Sequence, residues 1–192
     1  MLLRHALLVL LAERPQTGYE LARRMSEALS WFWSAQHSQI YPELAALERD
    51  GLITVEVGDG PGPRGRRTCR ITERGRADLR AWMTSEPNPR PVRDELVLRA
   101  FGASSADPAE LAQVFGAEIK RLQGRLDRYD EIRREIEGMP GVDDPSSPAF
   151  GWLMSLEHGI ASARARQDWA SDCAQRLRAG AASGSQPTRS RN

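Results

Sequence analysis

The feature that most constrains this chain is a glycine- and proline-rich segment, Gly58-Asp59-Gly60-Pro61-Gly62-Pro63-Arg64-Gly65, set between two β-prone runs. Proline has no backbone N–H and glycine loses the most backbone entropy on ordering, so the segment must turn. Residues 52–57 and 67–72 on either side then read as two short strands. Upstream, Leu3, Leu7, Leu10 and Leu11 recur at helical spacing until Pro15 ends the run. Thr17-Gly18 opens a second helix, about 19–29, with Leu21, Ala22, Met25 and Leu29 on one face. An aromatic link, Trp31-Phe32-Trp33, leads to a third helix at about 37–50, closed by Gly51 just past its C-terminus. Thr72-Glu73 starts a fourth, running to about 83. Three helices followed by a basic-tipped hairpin is the order of a winged helix-turn-helix.

Charge sharpens this reading. The whole chain carries a net charge of only +1. Yet Arg64, Arg66, Arg67, Arg70, Arg74 and Arg76 face a single acid, Glu73, between residues 60 and 76, a local excess of +5. Lys120 is the only lysine, so the basic charge is almost all arginine, whose planar fork suits phosphate and guanine. A solvated loop in an arginine-rich chain is the alternative for the cluster alone. On the third helix, Ile40, Leu44 and Leu47 share a face that must be buried. At about 100° per residue Ser38, Pro42, Ala45 and Arg49 fall opposite, flanked by Gln39 and Tyr41. In a major groove, Ser38 and Gln39 have donors and acceptors for base edges. Pro42 and Ala45 suit thymine methyls, and Tyr41 reaches a phosphate. Pro42 is expected in the first turn, where backbone donors have few helical partners. Glu43 and Glu48 oppose close phosphate approach and are expected to tilt away from it.

Beyond Pro87, Pro89 and Pro91 the composition turns helical. Residues 94–102 form a short apolar helix. Asp107-Pro108 supplies an N-cap and first-turn proline for a long helix to about 137. A loop at 138–148 precedes a last helix. Its Leu153, Leu156, Ile160, Ala163, Gln167, Ala170, Ala174 and Leu177 alternate steps of 3 and 4, a heptad seam. The long helix is apolar over a broad arc, with Phe115, Ile119, Leu122 and Leu126 flanked by Val114, Tyr129 and Ile132. One partner helix covers only part of such an arc, so a second subunit is expected on it.

Other chemistries find no footing. His5, His37 and His158 are scattered, and Cys69 and Cys173 make no metal spacing. There is no Gly-x-Ser-x-Gly elbow and no Gly-x-x-x-x-Gly-Lys phosphate loop, so no enzyme, cofactor or metal is expected. No apolar run reaches the roughly 18 residues of a membrane span. Residues 2–12 carry no small-residue cleavage site after them and read as a buried helix, which leads to a reduced, cytoplasmic protein. Five tryptophans, Trp31, Trp33, Trp82, Trp152 and Trp169, fit core and interface packing. An effector pocket for an aromatic molecule at Trp82 and Phe101 is the functional alternative.

Several blocks carry a resemblance. Tyr19-Glu20-Leu21, Phe32-Trp33, His37-Ser38-Gln39-Ile40-Tyr41-Pro42-Glu43-Leu44 and Leu47-Glu48-Arg49-Asp50-Gly51-Leu52-Ile53 resemble the signature of PadR-type repressors. So do Ile71-Thr72-Glu73-Arg74-Gly75-Arg76, Leu79-Arg80-Ala81-Trp82, Arg93-Asp94-Glu95-Leu96-Val97-Leu98-Arg99 and Leu156-Glu157-His158-Gly159-Ile160 with Trp169. Cys69 stands where that family usually has a tyrosine. The resemblance implies a homodimer that represses a nearby gene, often under a small aromatic or drug-like inducer.

The expected architecture is mainly α. A winged helix-turn-helix (three helices plus a two-stranded wing) at 1–85 is followed by a Pro-rich linker at 86–92. An all-α dimerisation domain at 93–179 and a disordered tail at 180–192 complete it. The expected function is sequence-specific binding of double-stranded operator DNA through Ser38, Gln39, Tyr41, Pro42, Ala45, Arg49, Arg64, Arg66 and Arg67. The alternatives are a winged-helix protein-interaction module, or a ligand-binding protein without an operator. The first has no need for arginines at the wing; the second would show tight aromatic binding and no operator.

Overall fold

The structure, a computed structural model, describes residues 2–28, 37–58, 66–87 and 93–184. The aromatic link 31–33, the wing tip 59–65 with Arg64, most of the linker and residues 185–192 lie outside the described residues. The chain divides into two compact units, Met1–Pro89 and Arg90–Asn192.

In the first unit, α1 (Leu2–Glu13), α2 (Gly18–Ala28) and α3 (His37–Arg49) pack around one core, with β2 (Ile53–Gly58), β3 (Arg66–Ile71) and α4 (Glu73–Met83) completing it. Leu7, Leu8, Leu11, Leu21, Ile40, Leu47 and Ile53 are the largest apolar side chains buried there. The sheet has three strands rather than two. Gln16–Thr17 form β1, which pairs antiparallel with β3 at Gln16↔Cys69 and Thr17↔Thr68, giving the order β1-β3-β2. A two-residue strand leaves no period in a sequence. What fixes it is Gln16, fully buried, whose Nε2 donates to the Leu10 carbonyl at 2.6 Å and whose Oε1 accepts from Arg24 at 3.2 Å. The side chain thus occupies a carbonyl in the last turn of α1 while its backbone joins the sheet. Cys69, opposite it, is buried, and desolvation raises its thiol pKa.

Two caps set the α3–β2–β3–α4 path. Gly51 adopts φ +69°, and the bonds Leu52 N–H to Leu47 O (2.9 Å) and Gly51 N–H to Glu48 O (3.0 Å) close α3 as a Schellman motif. Thr72 caps α4, accepting from the Gly75 N–H at 3.0 Å and donating to the carbonyls of Gly51 and Leu52. Gly75 is buried because α4 crosses the β2 entrance here: a Cβ at this position would stand 2.1 Å from the Leu52 carbonyl oxygen.

In the second unit, Asp94 caps α5 (Glu95–Phe101) and Asp107 caps α6 (Pro108–Glu137), each accepting two backbone N–H groups. The final helix, α7 (Pro148–Gly184), packs along α6. It continues through 180–184, which were expected in the tail: helix hydrogen bonding persists there despite Gly180 and Gly184. The seam residues Leu156, Ile160, Ala163, Ala170 and Ala174 are buried, and they face α6 of the same chain. On α6, Phe115, Leu122, Leu126 and Tyr129 are buried, and Val114 and Ile119 are partly covered. The arc expected to remain open on α6 is therefore largely closed from within, Phe115 meeting Trp169 edge to face at 5.6 Å. Large apolar side chains left open in this unit include Val97, Leu98 and Phe101 on α5, the last 90% exposed, and Met154 on α7.

A four-residue ion cluster ties α5 to this hairpin. Arg166 of α7 donates to both Asp94 carboxylate oxygens and to Glu118 of α6 at 2.8 Å, and Arg121 donates twice to Glu118 at 2.7 and 2.8 Å. Hydrogen bonds from Arg121 and then Arg166 hold the Glu118 carboxyl down at about 2, against desolvation. Asp94 is lowered for the same reason, Arg166 first.

Candidate nucleic-acid interface

The apolar period of α3 buries Ile40, Leu44 and Leu47 at 1%, 7% and 0% exposure. Ser38, Gln39, Tyr41, Pro42, Ala45 and Arg49 consequently all stand exposed on the other side, as the 100° rotation requires. Pro42 does not lie in the first turn: it is the sixth residue of α3. Without an N–H, it leaves the Ser38 carbonyl, four residues back, with no donor from that position.

The start of α2 abuts this face. Thr17 and Glu20 form a reciprocal cap: the Glu20 carboxylate accepts from the Thr17 N–H (2.7 Å) and hydroxyl (2.9 Å), and the Thr17 Oγ1 accepts from the Glu20 N–H at 3.2 Å. These bonds lower the Glu20 pKa, the Thr17 backbone bond most. Gly18 brings Tyr41 in close, since a Cβ there would fall 2.8 Å from the Tyr41 ring. Tyr41 is still 55% exposed, its ring packed at the α2 N-terminus.

The wing supplies the arginines, and each one described has a carboxylate beside it. Arg66 donates to Glu20 of α2 at 3.1 Å, and Arg67 lies 3.7 Å from Glu48 of α3. Arg70 donates to Glu56 of β2 at 3.2 Å. All three guanidinium side chains remain more than half exposed. Glu48 lies on the side of α3 that the wing reaches. The Schellman turn that folds β2 back along α3 brings Arg67 to it. Arg49 is exposed and lies 3.4 Å from Asp50, which Arg4 holds at 2.5 Å. Sequence reasoning did not find the acidic partners, although Thr17-x-x-Glu20 is a legible capping box.

Of the two candidate effector residues, Trp82 of α4 stacks on His5 of α1, with centroids 4.4 Å apart and planes 7° from parallel. His5 also lies 3.5 Å from Asp78. One face of the indole is therefore covered within its own unit. Phe101 ends α5 in the other unit, open to solvent. Among the described residues no group of three His, Cys, Asp or Glu side chains is placed to hold a metal ion. No described helix is long and apolar enough to cross a membrane.

Three packed helices, a helix presenting a polar exposed face, and an adjoining arginine-bearing antiparallel pair define a winged helix-turn-helix protein. Residues 7–81 match the transcriptional regulator PadR-like family, and residues 92–178 match the virulence activator alpha C-terminal family. The chain is 30% identical to the negative transcriptional regulator PadR of Bacillus subtilis, over 87% of its own length and 92% of that protein. It is similar to the crystal structure of Bacillus subtilis PadR in complex with operator DNA. The TM-score is 0.83 at 28% identity, with 92% of this chain and 99% of that one covered. The same protein in complex with p-coumaric acid matches with a TM-score of 0.78 at 27% identity, covering 91% and 94%. The chain belongs to the PadR-like family of transcriptional regulators.

Proposed function

We infer that the chain is a cytoplasmic, homodimeric repressor that binds operator DNA through α3 and the wing. The observation that carries this is the joint exposure of Ser38, Gln39, Tyr41, Pro42, Ala45 and Arg49 beside Arg66 and Arg67. Ser38 and Gln39 read base edges, Pro42 and Ala45 meet thymine methyls, and Tyr41, Arg49, Arg64, Arg66 and Arg67 contact phosphates. The relative solved with operator DNA supports this reading over nearly the whole chain. A protein-interaction module has no use for arginines along the wing.

A small aromatic acid is the proposed inducer class, because the relative is also solved with p-coumaric acid. Trp82 and Phe101 are the candidate contacts. Release from DNA requires tighter binding to the DNA-incompetent state, since equal affinity for both states shifts nothing.

The test is affinity against ionic strength, on duplex covering the region upstream of the protein's own gene. A dimer neutralising several phosphates should lose orders of magnitude in affinity between low and physiological salt, while retaining a preference over scrambled duplex. A flat salt dependence, or no preference, refutes the reading.

A further inference from the structure

Arg74 stands where an arginine is unfavourable: in the first turn of α4, at the positive end of the helix dipole. Arg76, two residues on, has partners, donating to the Ala12 carbonyl at 3.4 Å and lying 3.9 Å from Glu73. Arg74 has neither a hydrogen bond nor an ion pair among the described residues. It is exposed and lies against Gly51, where an added Cβ would come 3.8 Å from its Nη1. This places it in an open cleft of about 520 Å³, lined also by Arg4 of α1, Arg49 and Asp50 at the end of α3, and Ala77 and Asp78 of α4. Three guanidinium groups against two carboxylates leave the cleft positive. Arg4 holds Asp50 at 2.5 Å, closer than Arg49 does at 3.4 Å, and Asp78 lies 3.5 Å from His5. Arg49, 75% exposed, and Arg74 are the open cations of the cleft.

We propose that this cleft is a phosphate site, in which Arg74 and Arg49 together hold one DNA backbone phosphate at the border of the major groove. This rests on the DNA-binding reading above and adds a contact to it. Ser38, Pro42, Ala45 and Arg49 form one row along α3. At about 1.5 Å per residue the row runs roughly 16 Å from Ser38 to Arg49. The N-terminal residues of a recognition helix meet the base edges, and the major groove is about 12 Å wide. The far end of the row therefore reaches the strand that borders the groove. Arg49 alone would meet that strand with one mobile side chain. Arg74 adds a second fork from a helix start that Thr72 ties to the Gly51 and Leu52 carbonyls. A phosphate brings the negative charge the cleft lacks and has oxygens for both forks. The contact is to backbone, so it strengthens binding to every duplex and adds no discrimination.

The test uses the full-length protein and a duplex that the wild type selects from a randomised pool, its phosphates replaced one at a time by uncharged methylphosphonates. In the wild type, one replacement in each half-site, beyond the major-groove patch, should weaken binding. In Arg74→Gln the same replacement should matter far less, and the others as much as before. Arg74→Gln should itself weaken binding to selected and scrambled duplexes alike, roughly two- to thirtyfold for a dimer. It should flatten the log–log salt dependence by about one per protomer. It should melt no lower than the wild type, because a cation leaves an unfavourable helix end. Arg80→Gln removes the same charge from the last turn of α4, outside the cleft, and should leave the phosphate pattern unaltered. Penalties that simply add to the Arg74→Gln loss at every phosphate, or the same loss of coupling in Arg80→Gln, overturn the assignment and leave DNA binding standing. So does a cleft that serves a free anion. Inorganic phosphate would then raise the melting temperature of the DNA-free protein above that in chloride of equal ionic strength, Arg74→Gln would remove the effect, and no DNA phosphate would couple to Arg74. If the wild-type protein selects no duplex, the DNA-binding reading falls, and the phosphate site with it.

Discussion

Replacing Gly75 with alanine puts a methyl carbon 2.1 Å from the Leu52 carbonyl oxygen and 2.8 Å from the Ile71 Cγ1. Ordinary contact needs more than an ångström beyond the first of these, and the obstacle is backbone, so no rotamer change relieves it. Either α4 tilts or the entrance to β2 moves. Both disturb the same hydrogen bonds, because the Leu52 carbonyl accepts from the Thr72 N–H at 3.0 Å and from its hydroxyl at 3.1 Å. Overpacking of this kind costs about 1–3 kcal/mol, and a damaged threonine cap adds about 1 kcal/mol. Gly75→Ala should therefore destabilise the first unit by roughly 2–4 kcal/mol. In a unit of this size, each kcal/mol lowers the melting temperature by about 4–8 °C. Calorimetry of the full-length protein should show one transition moving down by roughly 10–25 °C. Gly124→Ala is the matched control, since nothing lies within 4 Å of its added methyl in the middle of α6. It should be neutral or stabilising by up to about 1 kcal/mol. A Gly75→Ala protein that melts with the wild type would refute the close crossing of α4 over β2.

Changing Arg66 and Arg67 to alanine should weaken binding to all duplexes and flatten the salt dependence. Gln39→Ala should instead relax discrimination by about 1–3 kcal/mol for each base that the side chain reads. Identical behaviour of the two sets in binding titrations would contradict the separate roles of wing and helix. Arg166→Ala strands Asp94 and Glu118 without their shared partner, and should cost the second unit about 2 kcal/mol in urea unfolding. Because the folded Glu118 pKa lies below its ordinary value, protons favour the unfolded chain. Its contribution is complete above about pH 4.5 and is lost as pH falls toward about 2. Urea midpoints of the wild type should drop across that window, and those of Arg166→Ala should drop less. A chain ending at Pro91 should be soluble, mainly monomeric in sedimentation, and much weaker on operator DNA than the full chain.

The winged helix-turn-helix was legible because its signals are local. Gly51 as the residue past α3, Thr72 as a cap, and the Ile40, Leu44 and Leu47 stripe follow from periodicity and cap chemistry alone. What escaped depends on partners distant in sequence. Strand β1 exists because buried Gln16 bonds to both Leu10 and Arg24, which no two-residue window announces. The carboxylates at the wing arginines lie 46, 19 and 14 residues away, and only the fold brings them together. The surplus apolar surface of the C-terminal unit is expected on α6, whereas the open side chains lie mostly on α5, with Met154 on α7. Periodicity counts apolar residues without knowing how much of each a neighbouring helix covers, and α7 covers most of α6.

Two copies of α3 and the wing should engage one face of a duplex. Chemical footprinting of the full-length protein on a duplex it has selected tests this most directly. Two protected major-groove patches should appear about 34 Å, or one helical turn, apart, related by a pseudo-dyad and flanked by protected phosphates. A single isolated patch, protection confined to phosphates, or no protection at all would contradict it.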